Sequence, residues 1–129
     1  MSTLIFDIET VGEDFSALDE TTKESLTRWI RRESNDDEAY QVALRDLEDG
    51  LGFSPLTGQI VAIGVLDAER KKSAVYYQPA NASDTDFEED DCKFEALSEK
   101  AMLAKFWDIA TKYDTFVTFN GRQFDVPFL

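Results

Sequence analysis

Histidine is missing from all 129 residues, and cysteine occurs once, as Cys92. The first absence removes His-dependent nucleophilic triads and the commonest general base. The second leaves no internal disulfide and no zinc site built from several cysteines, and it suits a reducing, cytoplasmic compartment. No apolar run approaches the roughly 20 residues that a membrane span needs, and no basic, apolar leader opens the chain. Cations are scarce as well: 13 lysines and arginines face 27 acids, a net charge of −14. Such a surface repels phosphate backbones and anionic membranes at long range. Any nucleic acid must therefore be held locally, by metal ions and a few aimed donors. Alternatively the acidic surface itself mimics DNA or docks a basic partner. The remaining composition, 43% hydrophobic and 31% charged, is that of an ordinary globular protein of one domain.

Residues 4–10, Leu-Ile-Phe-Asp-Ile-Glu-Thr, alternate apolar and acidic side chains. On a strand, residues two apart share a face. Leu4, Phe6 and Ile8 then point one way, and Asp7 and Glu9 the other, at the strand's far end. Two adjacent carboxylates repel unless something positive sits between them, and hard oxygen ligands suit Mg2+ or Mn2+. The same triplet also fits two solvated acids where a strand leaves the core.

Residues 11–57 form a polar insertion with two expected helices. The first, over 21–33, carries an apolar stripe of Leu26, Trp29 and Ile30, with Thr21 or Thr22 as cap. The second, over 36–49, carries Tyr40, Ala43, Leu44 and Leu47, with opening acids at the positive end of its dipole and Gly50 to stop it. Residues 59–66 read as a strand buried on both faces, and 73–78 as a shorter strand nearer the sheet edge, stopped by Pro79. The acids at 84, 86 and 88–91 suggest a solvated loop over 81–91; the spacing and glycine of a helix-loop-helix calcium site are missing. A helical period returns over 98–113, with Met102, Leu103, Phe106, Ala110 and Tyr113 on one face and Ser98 as cap. A final strand over 115–119 runs into Asn-Gly-Arg-Gln-Phe-Asp-Val-Pro-Phe-Leu at 120–129.

A helix between the third and fourth strands returns the fourth parallel to the first. Asp125 then arrives near Asp7 and Glu9, at the strand ends where open α/β sheets place sites. Asp125 also reads as a helix N-cap before Val126-Pro127, Asn120 as a turn-former beside Gly121, Arg122 as a solvated cation, and Phe124 as core.

Phe-Asp-Ile-Glu-Thr, followed some hundred residues later by Asn-Gly-Arg-Gln-Phe-Asp-Val-Pro-Phe-Leu, resembles the first two motifs of the DEDD 3′–5′ exonucleases, D-x-E and N-x-x-x-F-D. The resemblance is to the group related to the exonuclease domain of B-family DNA polymerases. It implies an α/β, ribonuclease H-like mixed sheet, in strand order 3-2-1-4, with a helical insertion after strand 1. It implies that Asp7, Glu9 and Asp125 are catalytic and bind metal, two Mg2+ or Mn2+ ions in the complete enzyme. It further implies that Thr10, Asn120, Arg122 and Phe124 meet the substrate, a nucleic acid and most simply a single-stranded DNA 3′ end. The family's later motif, H-x-x-x-D or Y-x-x-x-D, and the helix, strand and helix around it are missing. The expectation is therefore a front part of a longer exonuclease: four strands with one side incompletely covered, weak metal binding and poor cleavage alone. A second copy could pair with the uncovered flank. The alternative is a non-catalytic acidic interaction or DNA-mimicking module on a degenerate nuclease fold.

Overall fold

The structure, a computed structural model, describes residues 1–81, 83, 85–119 and 121–129. Two compact units make it up: residues 1–10 with 60–129, and residues 11–59.

The first unit carries a six-stranded mixed sheet in the order β4-β5-β3-β2-β1-β6. Its strands are β1 (Thr3–Gly12), β2 (Gly58–Asp67), β3 (Lys72–Tyr77), β4 (Phe87–Glu89), β5 (Cys92–Ala96) and β6 (Thr115–Val117). The four strands expected from sequence occupy the β3-β2-β1-β6 part of it. The alternation in β1 has the expected effect: Leu4, Phe6 and Ile8 are buried, while Ile5, Asp7 and Glu9 are exposed. The Ala68 N–H donates to the Thr3 carbonyl at 3.1 Å, which sets the end of β2 beside the start of β1. β6 pairs with β1 in parallel over three residues only, Thr3 to Ile5 against Thr115 to Val117.

Helix α3 (Glu99–Ala110) makes the crossover into β6 and covers the Leu4–Phe6 side of the sheet. Ser98 caps it, and Met102, Phe106 and Ala110 are its buried stripe. Phe106 meets Phe6 edge-on with ring centroids 5.1 Å apart. Glu99 accepts from the Ile60 N–H, which fastens the first turn of the helix to β2. On the other side of the sheet Ile5 and its partner Val117 remain 36% and 47% exposed.

Three expectations are corrected. The sheet has six strands rather than four, and β3 is interior, flanked by β2 and, in parallel, by β5. The acid-rich stretch is also not one solvated loop, because Phe87–Glu89 and Cys92–Ala96 form an antiparallel hairpin. Phe87 stacks on Phe94 at 4.4 Å, which supplies the apolar contact that the run of acids obscures. Asp90 and Asp91 turn the chain with φ of 49° and 61°. That is the backbone of a two-residue hairpin turn with positive φ at both positions, normally Asn-Gly or Asp-Gly. The double substitution Asp90→Asn/Asp91→Gly is accordingly expected to stabilise the protein by about 0.5–1 kcal/mol, read as a higher urea midpoint at unchanged m-value.

The second unit holds α1 (Glu20–Glu33) and α2 (Asp37–Asp49), with short 3-10 turns at Phe15–Ala17 and Leu51–Phe53. Asp19, rather than Thr21 or Thr22, caps α1, accepting from the Thr22 N–H at 2.7 Å. Asp36 caps α2 and Gly50 ends it. Of the expected α1 stripe only Ile30 is fully buried, joined by Thr27, and Trp29 is 55% exposed. Arg31 lies over the Tyr40 ring at 5.9 Å, linking the two helices. Beside the ends of this unit, the Glu13 N–H donates to the Thr57 carbonyl at 2.9 Å. There Gly12 and Gly52 approach so closely that a Cβ on Gly12 would stand 2.8 Å from the Gly52 nitrogen.

Candidate active site

Past Ile5, β1 has no ladder partner on its β6 side, because the pairing with β6 stops at Val117. An unpaired backbone N–H on a buried strand needs an acceptor. The Asp125 carboxylate lies near enough to the Ile8 backbone for that amide to lower its proton affinity. That carboxylate belongs to the first residue of α4 (Asp125–Phe128), a single helical turn. The residue at the cap position is Phe124, so Asp125 is not the N-cap that the sequence allowed. The Val126 N–H closes the preceding turn onto the Gly121 carbonyl at 2.8 Å, and the Phe128 N–H bonds the Phe124 carbonyl at 3.0 Å.

Asp125 is only 2% exposed. Burial pushes its carboxyl above the usual carboxylate range, and the charge of nearby Asp7 pushes it the same way. The Thr118 hydroxyl, which donates to Oδ2 at 3.2 Å, and the Ile8 N–H pull it back. An acid with a raised proton affinity, beside a second acid at the surface, is short of positive charge. A hard divalent cation is the group that such a pair of oxygen donors accommodates. Asp7 and Asp125 thus fit one.

Of the residues singled out from sequence, Asp7 and Asp125 come within electrostatic range of each other. Glu9 is exposed on the same face of β1 as Asp7. Among the described residues no three acids or cysteines are gathered closely enough to form a ready-made metal cluster. Thr10 is half-buried near the end of β1, and Arg122 is exposed in the turn before α4. Phe124 packs against the core and against Phe128, with ring centroids 5.7 Å apart. Asn120 lies outside the described residues.

Thr118 and Gly121 escaped the sequence reading. Thr118 is the hydroxyl that holds Asp125, and a Cβ on Gly121 would fall 1.8 Å from the Thr118 methyl carbon. The clue was a small residue three positions after a β-branched one, within a loop that must fold back on a strand. A cavity of about 920 Å³ lies at the opposite end of β1. Leu4, Val65 and Tyr76 line it, with Arg70, Lys72 and Lys93 among acids of equal standing such as Asp67 and Glu69. It is separate from the carboxylates.

Among the described residues no helix is long and apolar enough to cross a membrane. The chain is similar to DNA polymerase 1 of Sulfolobus acidocaldarius, 29% identical over 138 residues, and to DNA polymerase 1 of Sulfurisphaera ohwakuensis, 26% identical over 137. Each alignment covers 95% of this chain, which spans 15% of the length of those polymerases. A family model described as the RNase H superfamily matches residues 45–129, a segment that includes Asp125 but not Asp7 or Glu9. That match takes in about two-thirds of the protein, which belongs to the RNase H superfamily.

Proposed function

We propose that this chain is a metal-dependent 3′–5′ exonuclease domain, with residues 11–57 inserted into a ribonuclease H-like unit. Its substrate is the 3′ end of single-stranded DNA. Asp7, Glu9 and Asp125 are the residues that would hold Mg2+ or Mn2+. The observation that carries this reading is the buried Asp125 carboxylate, which lies close to the Ile8 backbone and within electrostatic reach of Asp7. That carboxylate comes from a segment more than a hundred residues away in the sequence and lies near the acidic triplet. Similarity to two DNA polymerases over 95% of the chain supports it further.

When bound, a pair of divalent ions supplies the charge that activates a water and stabilises the leaving oxygen. The chain's own residues set the frame. β1 fixes the spacing of Asp7 and Glu9, and the Thr118 hydroxyl holds the Asp125 carboxylate, which lessens its reorganisation as charge develops. Arg122 and Asn120, shortly before Asp125 in the sequence, are candidate donors for a substrate phosphate, and Thr10 follows Glu9 with a further hydroxyl.

The test is release of mononucleotides from 3′-labelled and 5′-labelled single-stranded DNA, with end-blocked DNA and RNA as controls. The expected result is slow digestion from the 3′ end that requires Mg2+ or Mn2+. Turnover is slow because three carboxylates neutralise two dications only in part. Cleavage that ignores a blocked 3′ end, or that persists in EDTA, overturns the assignment. A non-catalytic acidic module is the competing reading, favoured by the charge of −14 and by the absence of a gathered acid cluster among the described residues. It requires that Mn2+ leave the unfolding curve unchanged.

A further inference from the structure

We infer that the cavity at the start of β1 binds a nucleoside monophosphate, at a site separate from Asp7 and Asp125 and independent of the nuclease reading. Its volume, about 920 Å³, is of the size that small-molecule sites have. Leu4, Val65, Ala74 and Tyr76 give it an apolar lining from three strands, and Ile109 and Tyr113 add to it around the end of α3. Ala74 pairs with Val65 on β2 and with Lys93 on β5, so Lys93 leaves the sheet on the face that carries this lining. Lys72, two residues before Ala74, leaves on the same face.

Acids and cations line the cavity in similar number, but they are not equally engaged. Asp67 accepts from the Tyr113 hydroxyl at 2.9 Å and from the Arg70 N–H at 2.8 Å, and Glu69 accepts from the Thr3 N–H at 2.8 Å. Among the described residues, the exposed side chains of Lys71, Lys72 and Lys93 take part in none of the ion pairs. In a chain with 13 cations against 27 acids, three ammonium groups left over around one cavity are a local surplus of positive charge.

The occupant follows from the three kinds of group present. The lysines call for an anion, and their flexible, compact charges suit a phosphate. The apolar lining calls for a ring or chain behind that phosphate. Glu88 and Asp91, which line the same cavity and enter no ion pair among the described residues, repel an occupant that is anionic throughout and instead accept from hydroxyl or amino donors. A nucleoside monophosphate combines all three features. Inorganic phosphate lacks the ring, and a fatty acid lacks the donors.

The experiment follows amide 1H–15N spectra during titration with dAMP in EDTA, with deoxyadenosine and inorganic phosphate as partial ligands. EDTA keeps metal-mediated binding at Asp7 and Asp125 out of the readout. The expected result is saturable shifts in β3, in β5 and at the end of α3, with dAMP bound more tightly than either partial ligand. Lys72→Gln/Lys93→Gln is expected to weaken dAMP binding by about 5- to 30-fold, while deoxyadenosine binding and Mg2+-dependent cleavage stay at the parent level. Absence of saturable shifts, shifts confined to the surroundings of Asp7 and Asp125, or a dAMP affinity that the double substitution leaves unchanged overturns the inference. Inorganic phosphate bound as tightly as dAMP overturns it as well, because the apolar lining then contributes nothing.

Discussion

Asp7→Asn is expected to lower metal-dependent cleavage by at least about 100-fold, the scale seen when one preorganised group facing developing charge is removed. In the absence of metal, the same substitution is expected to leave the fold as stable as the parent, or more stable by about 0.5 kcal/mol. The two effects have one cause. Asp7 is an exposed acid whose charge raises the proton affinity of buried Asp125. Without a cation this is repulsion that the folded state carries and the unfolded chain does not. The pH dependence follows in sign. Because the Asp125 carboxyl titrates higher in the folded state than in the unfolded chain, the folded state binds more protons between those two values. Stability therefore falls as pH rises from the ordinary aspartate range through the folded value, and is level above it. Asp7→Asn narrows that window by removing one of the two causes that raise the folded value. A dication must displace the Asp125 proton, so Mn2+ binding weakens as pH falls through the same window. Thermal unfolding with and without Mn2+ checks the set. At a hundred times its Kd, the ion adds about 2.7 kcal/mol to the parent, and Asp7→Asn is expected to lose most of that gain. A variant that keeps the full Mn2+ effect removes Asp7 from the site.

Much of this arrangement was legible in the sequence because it depends on local periodicity. The alternation of Leu4, Phe6 and Ile8 with Asp7 and Glu9 forces a half-buried strand, whatever the rest of the chain does. The spacing of Met102, Phe106 and Ala110 forces a helix against it. The hairpin of β4 and β5 was hidden because its turn is made by two aspartates in a left-handed conformation rather than by glycine. Its one strong apolar contact, Phe87 on Phe94, joins residues on either side of a run of acids. The approach of Asp125 to the β1 backbone was hidden for a different reason. It depends on where β6 stops pairing, which is a property of the assembled sheet and of no single segment. Thr118 was overlooked with it, since a threonine in a β-rich run reads as strand until the strand is seen to end at Val117.

Gly121→Ala is expected to destabilise the protein by about 1–3 kcal/mol, the usual cost of forcing an extra carbon into a filled space. The added Cβ would meet the Thr118 Cγ2 at 1.8 Å, its Cβ at 3.0 Å and its Oγ1 at 3.1 Å. Threonine has few χ1 positions to retreat to, and rotating it takes the hydroxyl away from Asp125. The damage therefore passes from a glycine to the carboxylate without touching the carboxylate. Residual cleavage should fall further than the loss of folded protein accounts for, because Asp125 then loses the Thr118 hydroxyl that orients it. Thr118→Ser separates this from a general intolerance of the loop. Serine keeps the hydroxyl that faces Asp125 and removes the methyl group that causes the worst clash. The double variant Gly121→Ala/Thr118→Ser is expected to recover at least half of the lost stability, a non-additive coupling of the kind that contacting residues show. Simple additivity of the two substitutions would mean that the Thr118 methyl does not set the limit on residue 121. The link from Gly121 through Thr118 to Asp125 would then have to be abandoned.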